Sequence, residues 1–536
     1  MSSKSFLKGA VILGAAGIIV KIMGAFFRIP LGNIIGSEGM GYYQAPYPIY
    51  VFLLTVSTAG IPTAISKLVS EKNAIGDRYG AHRVFQVSFI ILLITGITTS
   101  FVMFFGSKNI IEYIRSPHES YYSMLAISPA LLFVPIMAAF RGYFQGMQDM
   151  VPTAVSQIIE QFGRTVIGLL LALILLKKGI PFAAAGATFG AAAGGITGAI
   201  IIILIYFQRR EKILNAIHTG PIQKQEPFGR IVSRIMAIAV PITMGAAVIP
   251  LMTMIDLAIV MRRLQDIGYT AEVSNELYGQ LAGMAAPLIN LPQIITVGLA
   301  VSLVPAISDA VQRRNIPLVK STIQTGTRVA LLIGLPAAIG LVTLAKPIML
   351  LLFPLQQTSA VNAADILSIL GFGVIFLALV QTFTGILQGL GRPTVPVINL
   401  FIGAVLKVIM TYILTGIDII NIKGAAMGTV AAYGTAALLN FFAIRRLTRT
   451  NFNTMNMIIK PVIAVSAMSI SVLFIYGRFV QLFGNRITTL MAVGVGILIY
   501  GLMLLAAGGI TKADFEMMPG GKRIAVILSR LGLLRK

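Results

Sequence analysis

GAAGIIVKIMGAFFRIPLG, residues 14–32, is an apolar segment that carries two cations. Its small and basic residues recur at steps of three or four, which places the following residues on one face of a helix: Gly14, Gly17, Lys21, Gly24, Arg28 and Gly32. A charged side chain that faces lipid near the bilayer centre costs at least ~2.5–3.5 kcal/mol. We therefore expect the face with Lys21 and Arg28 to line a wet or paired interior. The alternative is that these side chains snorkel or bridge neighbouring helices, which applies more to Arg28 because it lies nearer the far interface.

The composition of the whole chain is that of a membrane protein. Of its 536 residues, 57% are hydrophobic and 11% are charged, and the mean hydropathy is +0.88. Apolar runs long enough to cross a hydrocarbon core of ~30 Å recur along the chain. The beginning imitates a secretory signal, but Lys21 interrupts its apolar run, so we expect a retained first helix. The absence of cysteine excludes disulfides and thiolate metal sites.

Hydropathy predicts about fourteen membrane-spanning helices, and therefore an all-α integral membrane protein. They are expected near residues 9–33, 42–66, 84–106, 121–147, 152–176, 181–207, 235–261, 277–308, 319–345, 361–390, 394–416, 424–447, 456–480 and 486–509.

Lysine and arginine are distributed unequally between alternate loops. The side that holds the N-terminus carries 27 of them and the opposite side carries 10. Because cytoplasmic loops are the basic ones, both termini are predicted to be cytoplasmic. Five cations are left over from these two counts, and all five lie inside predicted helices: Lys21, Arg28, Arg164, Arg328 and Lys407. Most of the net charge of +24 thus reflects topology and attraction to anionic lipid, not binding of nucleic acid.

An internal repeat predicts the domain organisation. Four short motifs recur in order at offsets of 236–243 residues: GYFQG 142–146 as GILQG 385–389, IPTAIS 61–66 as VPAIS 304–308, GATFG 186–190 as GAAMG 424–428, and Arg209-Arg210 as Arg445-Arg446. Six helices per repeat give both halves the same orientation, so we expect two bundles related by a pseudo-two-fold axis along the membrane normal. The predicted parts are an N-terminal bundle (1–208), a cytoplasmic linker (209–234), a C-terminal bundle (235–447), two additional helices (456–509) and a basic cytoplasmic tail (510–536).

The repeat also matches two of the intramembrane cations. Arg164 corresponds to Lys407 at an offset of 243, and each lies ~18–20 Å from the cytoplasmic start of its helix. With the two cations of the first helix they would form a basic cavity. The alternative for Arg164 is neutralisation by Glu160, four residues before it on the same helix face. Arg328 is nearer the cytoplasmic interface, where snorkelling explains it better than function does.

The sign of the buried charge favours an anionic substrate. Five cations stand against Glu160 and Asp256, with Asp365 at a helix edge, whereas a site for cationic drugs needs the reverse. Arginine and lysine bind phosphate through charge-assisted hydrogen bonds. Asp256 is a candidate coupling-ion or proton site, and a capping or interhelical role explains it equally well. The tyrosines and prolines of residues 42–50 form either a bending gate or an interfacial aromatic belt.

Several segments together resemble one family: FFRIPLG 26–32, GSEGMGYYQ 36–44, STAGIPTAISKLVSE 57–71 and FQGMQDMVPT 144–153. They are similar to the polysaccharide-exporter branch of the multidrug/oligosaccharidyl-lipid/polysaccharide (MOP) flippase superfamily, and within it to stage V sporulation protein B and the MurJ-type lipid II flippases. The resemblance implies a bacterial cell-membrane transporter, not an enzyme. It would move an undecaprenyl-diphosphate-linked sugar, lipid II first among the candidates, from the inner to the outer leaflet. Lys21 and Arg28 would hold the pyrophosphate.

The chain departs from this family in two helices. Better-known relatives carry further arginines in helices two and eight, where this sequence has Thr55, Ser57, Asn290 and Gln293. Those roles do not transfer, so we hypothesise that Arg164 and Lys407 replace them. The expected partners are a lipid-linked oligosaccharide diphosphate and membrane lipids, without nucleic acid, metal, cofactor or catalytic residues. A coupling ion and the oligomeric state stay open, and a monomer suffices.

Three other functions stay open. One is translocation of another lipid-linked unit, such as a teichoic acid or capsule repeat, which the same cavity would serve. A second is ion-coupled drug export, which the cationic interior disfavours. The third is an integral glycosyltransferase or polymerase, which would need a sizeable outer loop with carboxylates, and no predicted outer loop is large.

Overall fold

The computed structural model describes residues 3–218 and 226–509. Over these residues the chain is helical and contains no strand. The helices are α1 (Ser3–Gln44), α2 (Tyr47–Thr58), α3 (Ile61–Ala74), α4 (Arg78–Ile114), α5 (Ser120–Ile127), α6 (Ala130–Gly146), α7 (Val151–Leu175), α8 (Ile180–His218), α9 (Phe228–Asp266), α10 (Ala271–Tyr278), α11 (Ala286–Ile289), α12 (Gln293–Gln312), α13 (Ile316–Thr343), α14 (Ala345–Leu352), α15 (Gln357–Gly389), α16 (Thr394–Thr415), α17 (Lys423–Thr448) and α18 (Lys460–Ala506). Gly279–Ala285 and Met455–Ile459 are π-helical. The predicted tail, 510–536, lies outside the described residues.

Thirteen helical segments of the described chain are long and apolar enough to cross a membrane. The last of them, Met455–Ala506, has 52 residues. It reverses at Gly484, whose φ of 72° suits glycine. Its two halves then pack together, since a Cβ on Gly496 would lie 2.8 Å from Val472. This segment is therefore two antiparallel spans, and the predicted all-α membrane fold with about fourteen helices is confirmed.

Three helices that were predicted as continuous are interrupted. The second stops after Thr58 and resumes at Ile61, the fourth is interrupted at Ser128 and Pro129, and the eighth turns at residues 290–292 before α12 begins. Each interruption contains or adjoins proline, which lacks an amide donor and clashes with the preceding turn. Such interruptions are tolerated at membrane depth where neighbouring helices cover them.

Contacts divide the chain into two compact units, Met1–Gly279 and Gln280–Lys536. In the first unit α9 packs against α2, α3 and α4. The helix that the repeat assigns to the second half is therefore held by contacts of the first unit. The domain boundaries drawn from the repeat stay a prediction. In the second unit α18 packs against α13 and α14, and Tyr500 donates a hydrogen bond to the carbonyl of Leu332 at 2.9 Å.

The repeated GxxxG motif has the same packing role in each unit. In the first unit, a Cβ on Gly142 of α6 would lie 2.9 Å from the carbonyl oxygen of Pro62 in α3. In the second, a Cβ on Gly385 of α15 would lie 2.6 Å from the carbonyl oxygen of Ala300 in α12. Small residues at these positions let the helix backbones approach closely, as is common in membrane bundles.

Candidate functional site

The two cations of α1 differ in exposure. Lys21 is exposed and Arg28 is half-buried, and neither forms a hydrogen bond or ion pair with another described residue. Space is open beside this face, because a Cβ added to Gly14 or Gly17 would meet no atom within 4 Å. An exposed cation next to open space is compatible both with a substrate-lining residue and with the snorkelling alternative. The lining itself stays a prediction.

A chain of aromatic rings connects α1 to α2 and α7. Ring centroids are 6.0 Å apart between Phe27 and Tyr43, and 5.7 Å apart between Tyr43 and Tyr47. Arg164 of α7 donates a hydrogen bond from Nη1 to the hydroxyl of Tyr47 at 3.0 Å. Tyr43 is only 3% exposed and lies in the electrostatic field of both Arg28 and Arg164. Tyr43 is thus close enough to both predicted site cations to feel their charge, and the gate and the belt both stay predictions.

Glu160 lies between two arginines. Arg141 of α6 reaches its Oε2 at 3.0 Å, while Arg164 lies 3.6 Å from its Oε1. Arg141 also donates from Nε to Ser156 Oγ at 2.8 Å. The three charged side chains are 15–19% exposed. Neutralisation of Arg164 by Glu160, the predicted alternative, is therefore present but incomplete, because one carboxylate serves two guanidinium groups.

Sequence reasoning missed Arg141: it lies within the predicted helix 121–147 but is not among the five intramembrane cations given above. The structure places it inside α6, five residues before the helix ends at Gly146. The available signal was its position ahead of the GYFQG motif, within the helix and not in the turn that follows. A cation at that point of a packed helix needs an acidic partner, and Glu160 provides it.

Glycines on the neighbouring helices position Arg164 and Lys407 in the same way. A Cβ on Gly190 of α8 would lie 2.6 Å from the carbonyl oxygen of Arg164. A Cβ on Gly428 of α17 would lie 3.2 Å from the carbonyl oxygen of Lys407 and 2.8 Å from Thr411 Oγ1. Within each unit, then, a glycine of the GATFG or GAAMG motif packs on the backbone of the predicted cation. The repeat alignment that matched these two cations agrees with this packing.

The remaining predicted site residues lie on helices α16, α13 and α9. Lys407 of α16 and Arg328 of α13 are half-buried, and each takes part in a polar or electrostatic interaction. Asp256 of α9 is 7% exposed, and its charge acts on Tyr278 of α10. Among the described residues no cluster of three or more histidine, aspartate or glutamate side chains could hold a metal ion.

Comparison with known proteins identifies the fold and the family of this chain. A solved structure of the lipid II flippase MurJ in an inward closed conformation superposes with a TM-score of 0.68 at 18% identity, covering 92% of this chain and 98% of that one. The chain thus has the fold of that multi-span membrane protein. The polysaccharide biosynthesis protein family model matches residues 6–311, more than half of the chain, and the protein belongs to that family. The MatE model matches residues 280–413.

Two relatives from Bacillus subtilis match over most of the chain. Stage V sporulation protein B is 27% identical, over 83% of this chain and 85% of its own. Lipid II flippase MurJ is 27% identical, over 95% of each chain. The resemblance inferred from the sequence motifs is therefore confirmed.

Proposed function

We propose that the protein moves an undecaprenyl-diphosphate-linked cell-wall precursor, lipid II first among the candidates, from the inner to the outer leaflet. The observation that carries the proposal is the excess of positive charge in the helices of the first unit. Lys21 is exposed on α1, and the Arg141–Glu160–Arg164 cluster keeps one positive charge that Glu160 does not match. The names of the relatives point to the same class of substrate.

The substrate diphosphate would bind by electrostatic attraction and charge-assisted hydrogen bonds. Lys21 is accessible for first contact, and Arg28 follows two turns further along α1. In a site that excludes water such contacts strengthen, because the effective dielectric constant falls. Lys407 supplies the matching cation of the second unit. The translocation needs no covalent step, so the protein is proposed to be a transporter without catalytic residues.

The transport cycle is proposed to be alternating access by the two repeated bundles. The prenyl tail of the substrate would stay in lipid along α18, whose outward side chains are apolar, for example Ile470 and Phe474, each 70% exposed. Membrane potential or an ion gradient would drive the return step, with Asp256 as the candidate coupling group. The excess of basic residues on one side supports a bacterial cell-membrane orientation with both termini in the cytoplasm.

A leaflet-accessibility assay with lipid II in vesicles tests this function. We expect K21A and R28A each to abolish flipping while the proteins still express and fold. K108A is the matched control, because Lys108 is an exposed lysine on α4 away from these contacts. Normal flipping by both K21A and R28A would refute the site. The same assay with a lipid-linked teichoic acid or capsule unit decides whether one of these units or lipid II is the substrate.

A further inference from the structure

The first unit contains a site-sized groove that none of the predicted substrate cations lines. It is lined by α2, α4 and α9 and has a volume of about 690 Å³, within the range of small-molecule sites. Its walls are almost wholly apolar, with Phe52 from α2, Val102 from α4, and Met254 and Ile259 from α9. Arg262 lies at one end. The groove therefore combines an apolar surface with a single cation.

Among the described residues Arg262 has no acidic partner. Its guanidinium carbon lies 4.4 Å from the ring centroid of Tyr113, and Nη2 donates to the carbonyl of Tyr113 at 2.7 Å. Its Nε is buried and has no hydrogen-bond partner among the described residues. The nearby carboxylate of Asp266 is taken by Arg115 and Arg263, at 3.2 and 3.1 Å. An anion at the end of the groove would match the charge of Arg262 and accept its unused donors.

The position of the cation fits the membrane interface. α4 ends at Ile114 and α9 at Asp266, so Arg262 lies about one turn from two helix ends. From there the groove runs to Met254, ~12 Å further into the apolar part of α9. A ligand for this shape has a phosphate at the interface and an aliphatic chain that enters the membrane.

We propose that the groove binds one anionic glycerophospholipid, with its phosphate on Arg262 and an acyl chain along α9. Its one phosphate matches the one cation, and one of its two acyl chains fits the short apolar channel, whereas a polyprenyl diphosphate brings a second phosphate and a much longer chain. In the orientation that the loop charges predict, the lipid comes from the outer leaflet. None of the predicted substrate cations lines the groove, so this proposal does not depend on the proposed function.

Single-tryptophan reporters can test whether the groove binds this lipid, because the chain contains no tryptophan. F52W places the reporter in the groove, and F105W places one on α4 at a side chain that is 72% exposed and does not line the groove. Vesicles are prepared with phosphatidylglycerol or phosphatidylcholine brominated on the acyl chain, which quenches tryptophan on contact. We expect F52W to be half-quenched at an about fivefold lower mole fraction of phosphatidylglycerol than of phosphatidylcholine. F105W should be quenched equally by both lipids.

The arginine variants decide whether Arg262 causes the preference. In the F52W background, R262Q should reduce the preference to less than about twofold, while R263Q should keep it, because Arg263 is already paired with Asp266. Should R262Q fail to fold, high salt applied to F52W must weaken the preference, and R262K must retain part of it. Equal quenching of F52W by the two lipids, an unchanged preference in R262Q, or displacement of the lipid by a polyprenyl diphosphate would overturn the proposal.

Discussion

Arg141 donates a hydrogen bond from Nη2 to Oε2 of Glu160 at 3.0 Å, which joins α6 to α7. Both side chains are less than a fifth exposed. Removing one partner of a buried ion pair costs ~3–5 kcal/mol, because the other charge stays uncompensated. We expect E160A to lower the free energy of unfolding more than R141A does. E160A leaves two guanidinium groups without a carboxylate partner, whereas in R141A Glu160 is still paired with Arg164.

A double-mutant cycle in detergent measures this coupling. We expect R141A/E160A to be less destabilised than the sum of the single variants, by ~1–3 kcal/mol. The exposed pair of Arg313 and Asp309, with side chains 71% and 55% exposed, is the control, and its coupling should stay below ~1 kcal/mol. Additive effects at Arg141 and Glu160 would contradict the assignment of a buried pair.

Tyr47 offers a test of how Arg164 is held. Its hydroxyl accepts a hydrogen bond from Nη1 of Arg164 at 3.0 Å. Y47F removes that acceptor and keeps the ring, so we expect a loss of ~1.5–3 kcal/mol in stability, the usual range for a hydrogen bond to a charged group. Transport should fall less in Y47F than in R164A, because the positive charge remains. The leaflet-accessibility assay compares the two rates, and equal rates would show that the hydrogen bond, not the charge, is what matters.

Gly60 lies at the break between α2 and α3, against α9. Its amide donates to Thr243 Oγ1 at 3.1 Å, and a Cβ there would lie 2.0 Å from the carbonyl oxygen of Ala239. G60A must displace a backbone, so we expect a loss of at least ~1–3 kcal/mol in stability. G245A is the matched control on α9, because a Cβ at Gly245 meets nothing within 4 Å. Thermal melting of both variants checks this, and an unperturbed G60A would mean that α9 does not pack there.

The sequence predicted the number of spans and the proximity of Glu160 to Arg164, because these follow from apolar length and helical spacing. It did not predict the break at Gly60. A GxP pattern (Gly60-Ile61-Pro62) inside an apolar run is compatible with a kinked helix or with two helices, and the contact with α9 that decides between them is remote in sequence. The pairing of Arg141 was missed for the same reason, since its partner Glu160 lies on another helix.

The ion cluster around Glu226 predicts a dependence of stability on pH. Lys72 Nζ lies 2.7 Å from Glu226 Oε1, and Arg234 Nη1 lies 3.2 Å from the same oxygen. The hydrogen bond from Lys72, with the charge of Arg234, holds the pKa of Glu226 below its ordinary value of 4.5, although partial burial opposes this. The ionised carboxylate therefore contributes stability above pH 4.5, and this contribution is lost as the pH falls through the lower folded pKa.

Melting temperatures measured from acidic to neutral pH test the direction of this pH dependence. We expect the parent protein to lose more stability below pH 4.5 than E226Q does, because the glutamine cannot take up the proton. E112Q is the control, since Glu112 is exposed on α4 and lies outside this cluster. A parent curve that parallels the E226Q curve would show that Glu226 does not titrate with a lowered pKa.

The matched glycines beside Arg164 and Lys407 predict matched effects in the two units. A Cβ on Gly190 would lie 2.6 Å from a backbone oxygen, and one on Gly428 would lie 2.8 Å from a hydroxyl that can turn away. We expect both G190A and G428A to slow lipid II flipping, with the larger loss of stability in G190A, because a backbone moves less easily than a side chain. G17A, beside open space, is the stability control. If both cations serve one substrate, displacing either should reduce flipping in the leaflet-accessibility assay; if only G190A does so, Lys407 is not part of the site.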